Sequence, residues 1–154
     1  MPILEPIYQP IAGKLPSQPV ERIPVRRGVL WTGRVLSALA ILFLLMDAVM
    51  KLVKPAAVVE GTLQLGYPES SIVGIGIVLL ISTLLYAMPR TAVLGALLLT
   101  GYLGGAVATH VRVADPLFTH VLFPTYLAAF IWGGLYLREP RLRLLLPLRS
   151  GGGQ

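Results

Sequence analysis

The sequence contains no cysteine. Disulfides, thiol–disulfide exchange, thiolate metal sites and cysteine nucleophiles are therefore excluded. Charge is also scarce. Only 13% of the 154 residues are charged, against about 25% in a soluble domain. No HExxH pair, no carboxylate and histidine at i, i+3 and no GxSxG elbow occur, so no catalytic residue and no metal ligand is assigned. The net charge of +6 does not call for nucleic acid. The basic residues form no stripe interleaved with aromatics, and sit at the two ends and in the turns between apolar runs.

What is abundant is apolar: 55% of the residues are hydrophobic. Four runs stand out, at 34–53, 72–88, 91–111 and 117–137. Each is close to the ~20 residues that cross ~30 Å of hydrocarbon. Backbone polar groups in lipid must be satisfied internally, and no run alternates with period two, so all four read as α-helices. The expected fold is an all-α membrane protein, a four-transmembrane-helix bundle spanning 28–145. Residues 1–27 carry many prolines and no continuous apolar stretch, and read as a disordered cytoplasmic arm rather than a signal peptide. Residues 146–154 read as a flexible tail.

Orientation follows from lysine and arginine. Lys14, Arg22, Arg26, Arg27, Arg34, Arg90, Arg138, Arg141, Arg143 and Arg149 fall on one side, and only Lys51, Lys54 and Arg112 on the other. The positive-inside rule places both termini in the cytoplasm. The turn MPRT makes the second and third spans an antiparallel hairpin. The longer connection KPAAVVEGTLQLGYPES carries a short amphipathic, interfacial helix over Ala56–Leu65, with Gly66 suited to its C′ position and Pro68 to a stop.

Gly101, Gly105 and Thr109 recur at i, i+4 and i+8, a ridge of small residues suited to helix packing inside the bundle. Homo-oligomerisation through the same ridge is the alternative. Pro124 predicts a kink near the outer end of the fourth span. Asp115, before Pro116, predicts a cap for that span.

Polar residues in a membrane are expensive, and they mark the candidate site. Asp47 lies in the outer third of the first span, with Lys51 one turn on. Topology brings the outer ends of spans one and three and the start of span four to the same side. Asp47, Lys51, Tyr67, His110, Arg112 and His120 are therefore expected around one polar mouth on the non-cytoplasmic side. Such a set can hold a quinone carbonyl or a lipid headgroup. The inner half of the spans has no ionisable groups to extend a proton relay.

The segments RVLSALAILFLLMDAVMKLVKP, LGYPES, LLYAMPRTAVLGALLLTGYLGGAVATHVR and DPLFTH resemble the DoxX-like family of small four-helix bacterial membrane proteins. The resemblance runs over residues 34 to 145. It implies a multi-pass protein of the bacterial inner membrane, in contact with the lipid bilayer, and links with membrane redox complexes. The polar and turn positions it matches are Asp47, Lys51, Gly66, Pro68, Gly105, His110 and Arg112. Two functions follow as expectations. The first is a non-catalytic subunit or anchor of a larger membrane complex, with a membrane-protein or redox partner. The alternative is a quinone- or lipid-binding component of a membrane oxidoreductase. A transporter is disfavoured, since no broken-helix pair and no internal repeat occur.

Overall fold

In the computed structural model, residues 27–139 and Leu142 are described. The proline-rich arm ahead of Arg27 and the tail 146–154 lie outside them. The described chain is all-helical: α1 Arg27–Val53, α2 Ala56–Gln64, α3 Ser71–Ala87, α4 Ala92–Arg112, a wide turn Leu117–Val121, and α5 Phe123–Arg138. Among the described residues, three helical segments are long and apolar enough to cross a membrane: α1, α4 and Leu117–Arg138. The 17-residue α3 is apolar but shorter.

The helices α1, α3, α4 and α5 each bury one narrow stripe. In α1 the stripe is Gly33, Ser37, Ala40, Leu44 and Ala48, spaced by three and four residues, so one face points inward. The other faces stay apolar; Leu42, for example, is 68% exposed. A chain in water would hide such continuous apolar surface, whereas lipid covers it without cost. α1 starts at Arg27 rather than at the head of the apolar run, because no proline interrupts the sequence between Pro24 and Pro55.

α1 packs on α3 and α5, and α4 packs on α3 and α5. This leaves α1 and α4 diagonal to one another. The bundle is tightest at the end that holds the α3–α4 turn. There a Cβ on Gly134 would stand 2.5 Å from Ser37 Oγ, and one on Gly95 would stand 2.2 Å from the Tyr86 nitrogen. The same end carries a closed polar network. Tyr86 donates its hydroxyl proton to the Ile131 carbonyl at 2.9 Å, so Ser37 Oγ, also 2.9 Å away, donates to Tyr86. Arg138 donates to the Tyr86 carbonyl at 3.1 Å. No buried side-chain polar atom among the described residues lacks a partner, as a low-dielectric interior requires.

The fourth apolar run opens on a π-type turn instead of a regular α-helical one. Leu122 N–H bonds the Leu117 carbonyl at 2.9 Å and Val121 N–H bonds that of Pro116 at 3.3 Å, both across five residues. Only after this π-type turn does α5 begin, with Pro124 in its first turn. A proline there loses no hydrogen bond, because first-turn N–H groups have no intrahelical partner. Pro124 thus starts the helix where a kink was expected.

Candidate functional site

Opposite the tight end lies a cavity of about 490 Å³. It opens between the diagonal helices α1 and α4. Phe43, Leu44, Asp47 and Lys51 line it from α1, and Gly101, Tyr102, Leu103, Gly105, Ala106, Thr109 and His110 from α4. Ile75 of α3 and Phe123, Pro124 and Leu127 of α5 complete the wall. Thr62, Leu65 and Tyr67, from α2 and the residues after it, lie across it.

Two helix ends of the same design place its polar groups. After α2, Gly66 takes φ +76°, its N–H bonds the Leu63 carbonyl at 2.8 Å, and the Tyr67 N–H bonds that of Thr62 at 3.2 Å. This is a Schellman closure, and it turns the chain back toward the bundle. Tyr67 then reaches Thr109 Oγ1 at 2.8 Å. Thr109 gives its own proton to the Gly105 carbonyl at 2.9 Å, so the tyrosine is the donor.

After α4 the pattern repeats. Ala114 N–H bonds the Val111 carbonyl and Asp115 N–H bonds that of His110, each at 3.1 Å, with Ala114 at φ +56°. The reversal sends Asp115 back to His110, where Oδ2 stands 2.7 Å from Nδ1. Asp115 is therefore partnered by a histidine and does not cap the next helix, which carries no side-chain cap. The carboxylate accepts, so His110 donates from Nδ1, and Nε2 is left as an acceptor in the neutral ring. A left-handed alanine costs about 1–2 kcal/mol in backbone strain. Ala114→Gly is expected to raise stability by about 0.5–1 kcal/mol once glycine's larger entropy loss is subtracted. Unfolding in mixed detergent micelles checks this, and a loss of stability would contradict the assigned geometry.

The charges at the cavity come in pairs. Lys51 Nζ and Asp47 Oδ1 are 2.5 Å apart, and both side chains are half-buried. Lys54 pairs with Glu69 outside the cavity.

Of the residues expected around one mouth, Asp47, Lys51, Tyr67 and His110 line the cavity. Arg112 and His120 do not. Arg112 donates to the Leu65 carbonyl and lies 5.9 Å from the centre of the Tyr67 ring, so it braces the cover rather than facing the interior. His120 bonds Thr119 Oγ1 through Nδ1 at 2.8 Å, and its ring centre lies 5.9 Å from that of His110. Among the described residues, no three His, Asp or Glu side chains converge as a metal site needs.

The glycine ridge of α4 also has another place. A Cβ on Gly101 or Gly105 meets nothing within 4 Å, and both glycines border the cavity. Within the chain they leave space instead of admitting a neighbouring backbone; the close approaches are at Gly33, Gly76, Gly95 and Gly134. Sequence reasoning missed Phe43, Thr62, Leu65, Tyr102 and Phe123 as cavity walls. The available signal was Tyr102 beside two glycines on one helical turn, a large side chain next to missing ones.

Residues 35–134 match the family model described as the DoxX-like family. No curated protein and no solved structure matches the chain significantly.

Proposed function

The chain belongs to the DoxX-like family, and from that premise we propose that it is a multi-pass membrane protein that holds the polar head of a lipid-soluble molecule, quinone or lipid, in the cavity between α1 and α4. On this reading α3, the second apolar run, also crosses the membrane and brings the spans to four, and α2 lies at the outer interface. The arginine-rich ends face the cytoplasm of a bacterial cell, in keeping with the positive-inside rule.

One observation carries the proposal. The cavity, at about 490 Å³, falls within the ~300–1,000 Å³ of small-molecule sites, and it combines a mainly apolar wall with a few oriented polar groups. A simple anchor needs no such space, so the cavity favours binding over the subunit-only role. The residues around it form no self-sufficient catalytic set. Redox chemistry would come from a bound quinone and a partner protein, with Asp47, Lys51, Tyr67 and His110 orienting the head.

The test is titration of the purified full chain in nanodiscs with a short-tailed benzoquinone and with a long-chain alcohol. Asp47→Asn and His110→Ala are each expected to weaken binding about tenfold, the worth of one hydrogen bond to a charged or strongly polar group. Absence of binding by either probe, or full affinity in both variants, would overturn the proposal.

A further inference from the structure

A second, open groove of about 380 Å³ runs between α3 and α4, lined by Ser71, Gly74, Ile75, Val78 and Tyr102. Ile75 and Tyr102 line the main cavity too. The two spaces therefore share a wall, one side polar and the other apolar and open to the bundle's exterior. We propose that they are one site for an uncharged, single-chain amphiphile, with the head in the cavity and the tail leaving sideways between α3 and α4 past Ile75 and Tyr102. This rests on the reading of the cavity as a binding site, and it adds the charge of the head and the route of the tail.

The charge follows from pairing. Lys51 is bound by Asp47 and His110 by Asp115, while the Arg112 guanidinium is held by the Leu65 carbonyl beyond the cavity wall. An anionic phosphate head would either displace one of these carboxylates and leave it unpaired in a poorly solvated space, or add a second negative charge beside a cation already neutralised, and both are costly. A carbonyl oxygen can accept from an N–H of Lys51 that Asp47 does not take, and a hydroxyl can donate to His110 Nε2, without uncovering a charge. The tail route follows from Ile75 and Tyr102, the two side chains that alone stand on both spaces, so that a rotamer shift of these two joins them. A chain threaded there buries its methylene groups against protein while its far end remains in lipid.

Gly74 permits a clean test, because a Cβ there meets nothing within 4 Å. Gly74→Phe brings a ring into the groove from a Cβ that meets no obstacle, and Val78→Phe is a second variant that fills the same groove. Ile81→Phe, on an exposed part of α3, is the control. The full chain in zwitterionic nanodiscs is titrated with a benzoquinone head, the same head carrying a prenyl tail, a long-chain alcohol and a long-chain alkyl phosphate.

Both groove variants are expected to weaken the tailed quinone about tenfold, the equivalent of about two methylene groups losing burial. The tailless head and the control should be unchanged, and the alkyl phosphate should fail to compete. The tighter of quinone and alcohol identifies the source of the head. Equal weakening of tailed and tailless probes, or none, overturns the tail route. Effective competition by the alkyl phosphate overturns the uncharged head. Loss of all binding in the unsubstituted protein overturns the cavity's binding role itself, and is thereby distinguished from failure of the route.

Discussion

Gly95→Ala is expected to cost more than about 4 kcal/mol and to leave little folded protein in detergent. Its added Cβ would lie 2.2 Å from the nitrogen and 2.5 Å from the Cα of Tyr86, and 2.7 Å from the Leu85 carbonyl carbon. All three are backbone atoms, so no rotamer change relieves the overlap. The α3–α4 turn cannot open to accommodate it either. Thr91 Oγ1 holds the Leu85 carbonyl at 2.8 Å and accepts no slack, while Gly95 N–H bonds the Thr91 carbonyl at 2.9 Å. Relief requires α4 to lift from α3, dragging the Tyr86 network with it. Overpacking usually costs 1–3 kcal/mol, and backbone overlap belongs to its upper tail. Gly105→Ala, with open space around its Cβ, is expected to gain roughly 0.5–1 kcal/mol from helix propensity. Parallel unfolding curves in mixed micelles compare the two. Similar stabilities for both variants would refute the assignment of close approach to Gly95.

The second large effect is on binding. Gly101→Leu combined with Gly105→Leu is expected to lower affinity for the tailed quinone at least about a hundredfold, since two isobutyl groups occupy the space the ligand needs. Stability should hold or rise, because neither Cβ meets an obstacle within 4 Å and leucine is the better helix former by about 0.8 kcal/mol at each position. Loss of affinity with retained stability separates a filled site from a damaged fold. Full affinity in this variant would place the ligand elsewhere on the molecule.

Much of the architecture was legible in the sequence for plain reasons. The apolar runs, the MPRT turn, the helix after Pro55 and Gly66 at its end all depend on neighbours within a few residues. The Asp47–Lys51 pair was legible for the same reason, as one helical turn separates them. What escaped was tertiary. A glycine ridge looks the same in sequence whether a helix leans on it or a cavity opens beside it, so Gly101 and Gly105 went to packing. Asp115 before a proline has the local signature of a cap, and only the reversal at Ala114 reveals its bond to His110. Arg112 belonged by topology to the mouth, yet the Leu65 carbonyl, 47 positions away in the chain, captures its guanidinium. The start of α5 depends on how Pro124 is used, as a kink or as a first turn, and local sequence permits both.

The cancellation of Asp47 by Lys51 also has an electrical consequence. A charge carried across a membrane gains or loses about 2.3 kcal/mol for every 100 mV. A neutral molecule settling beside a neutral pair moves no charge through that field. Occupancy would then be blind to the voltage, the same in an energised cell and a depolarised one, and would follow only how much of the molecule the bilayer holds.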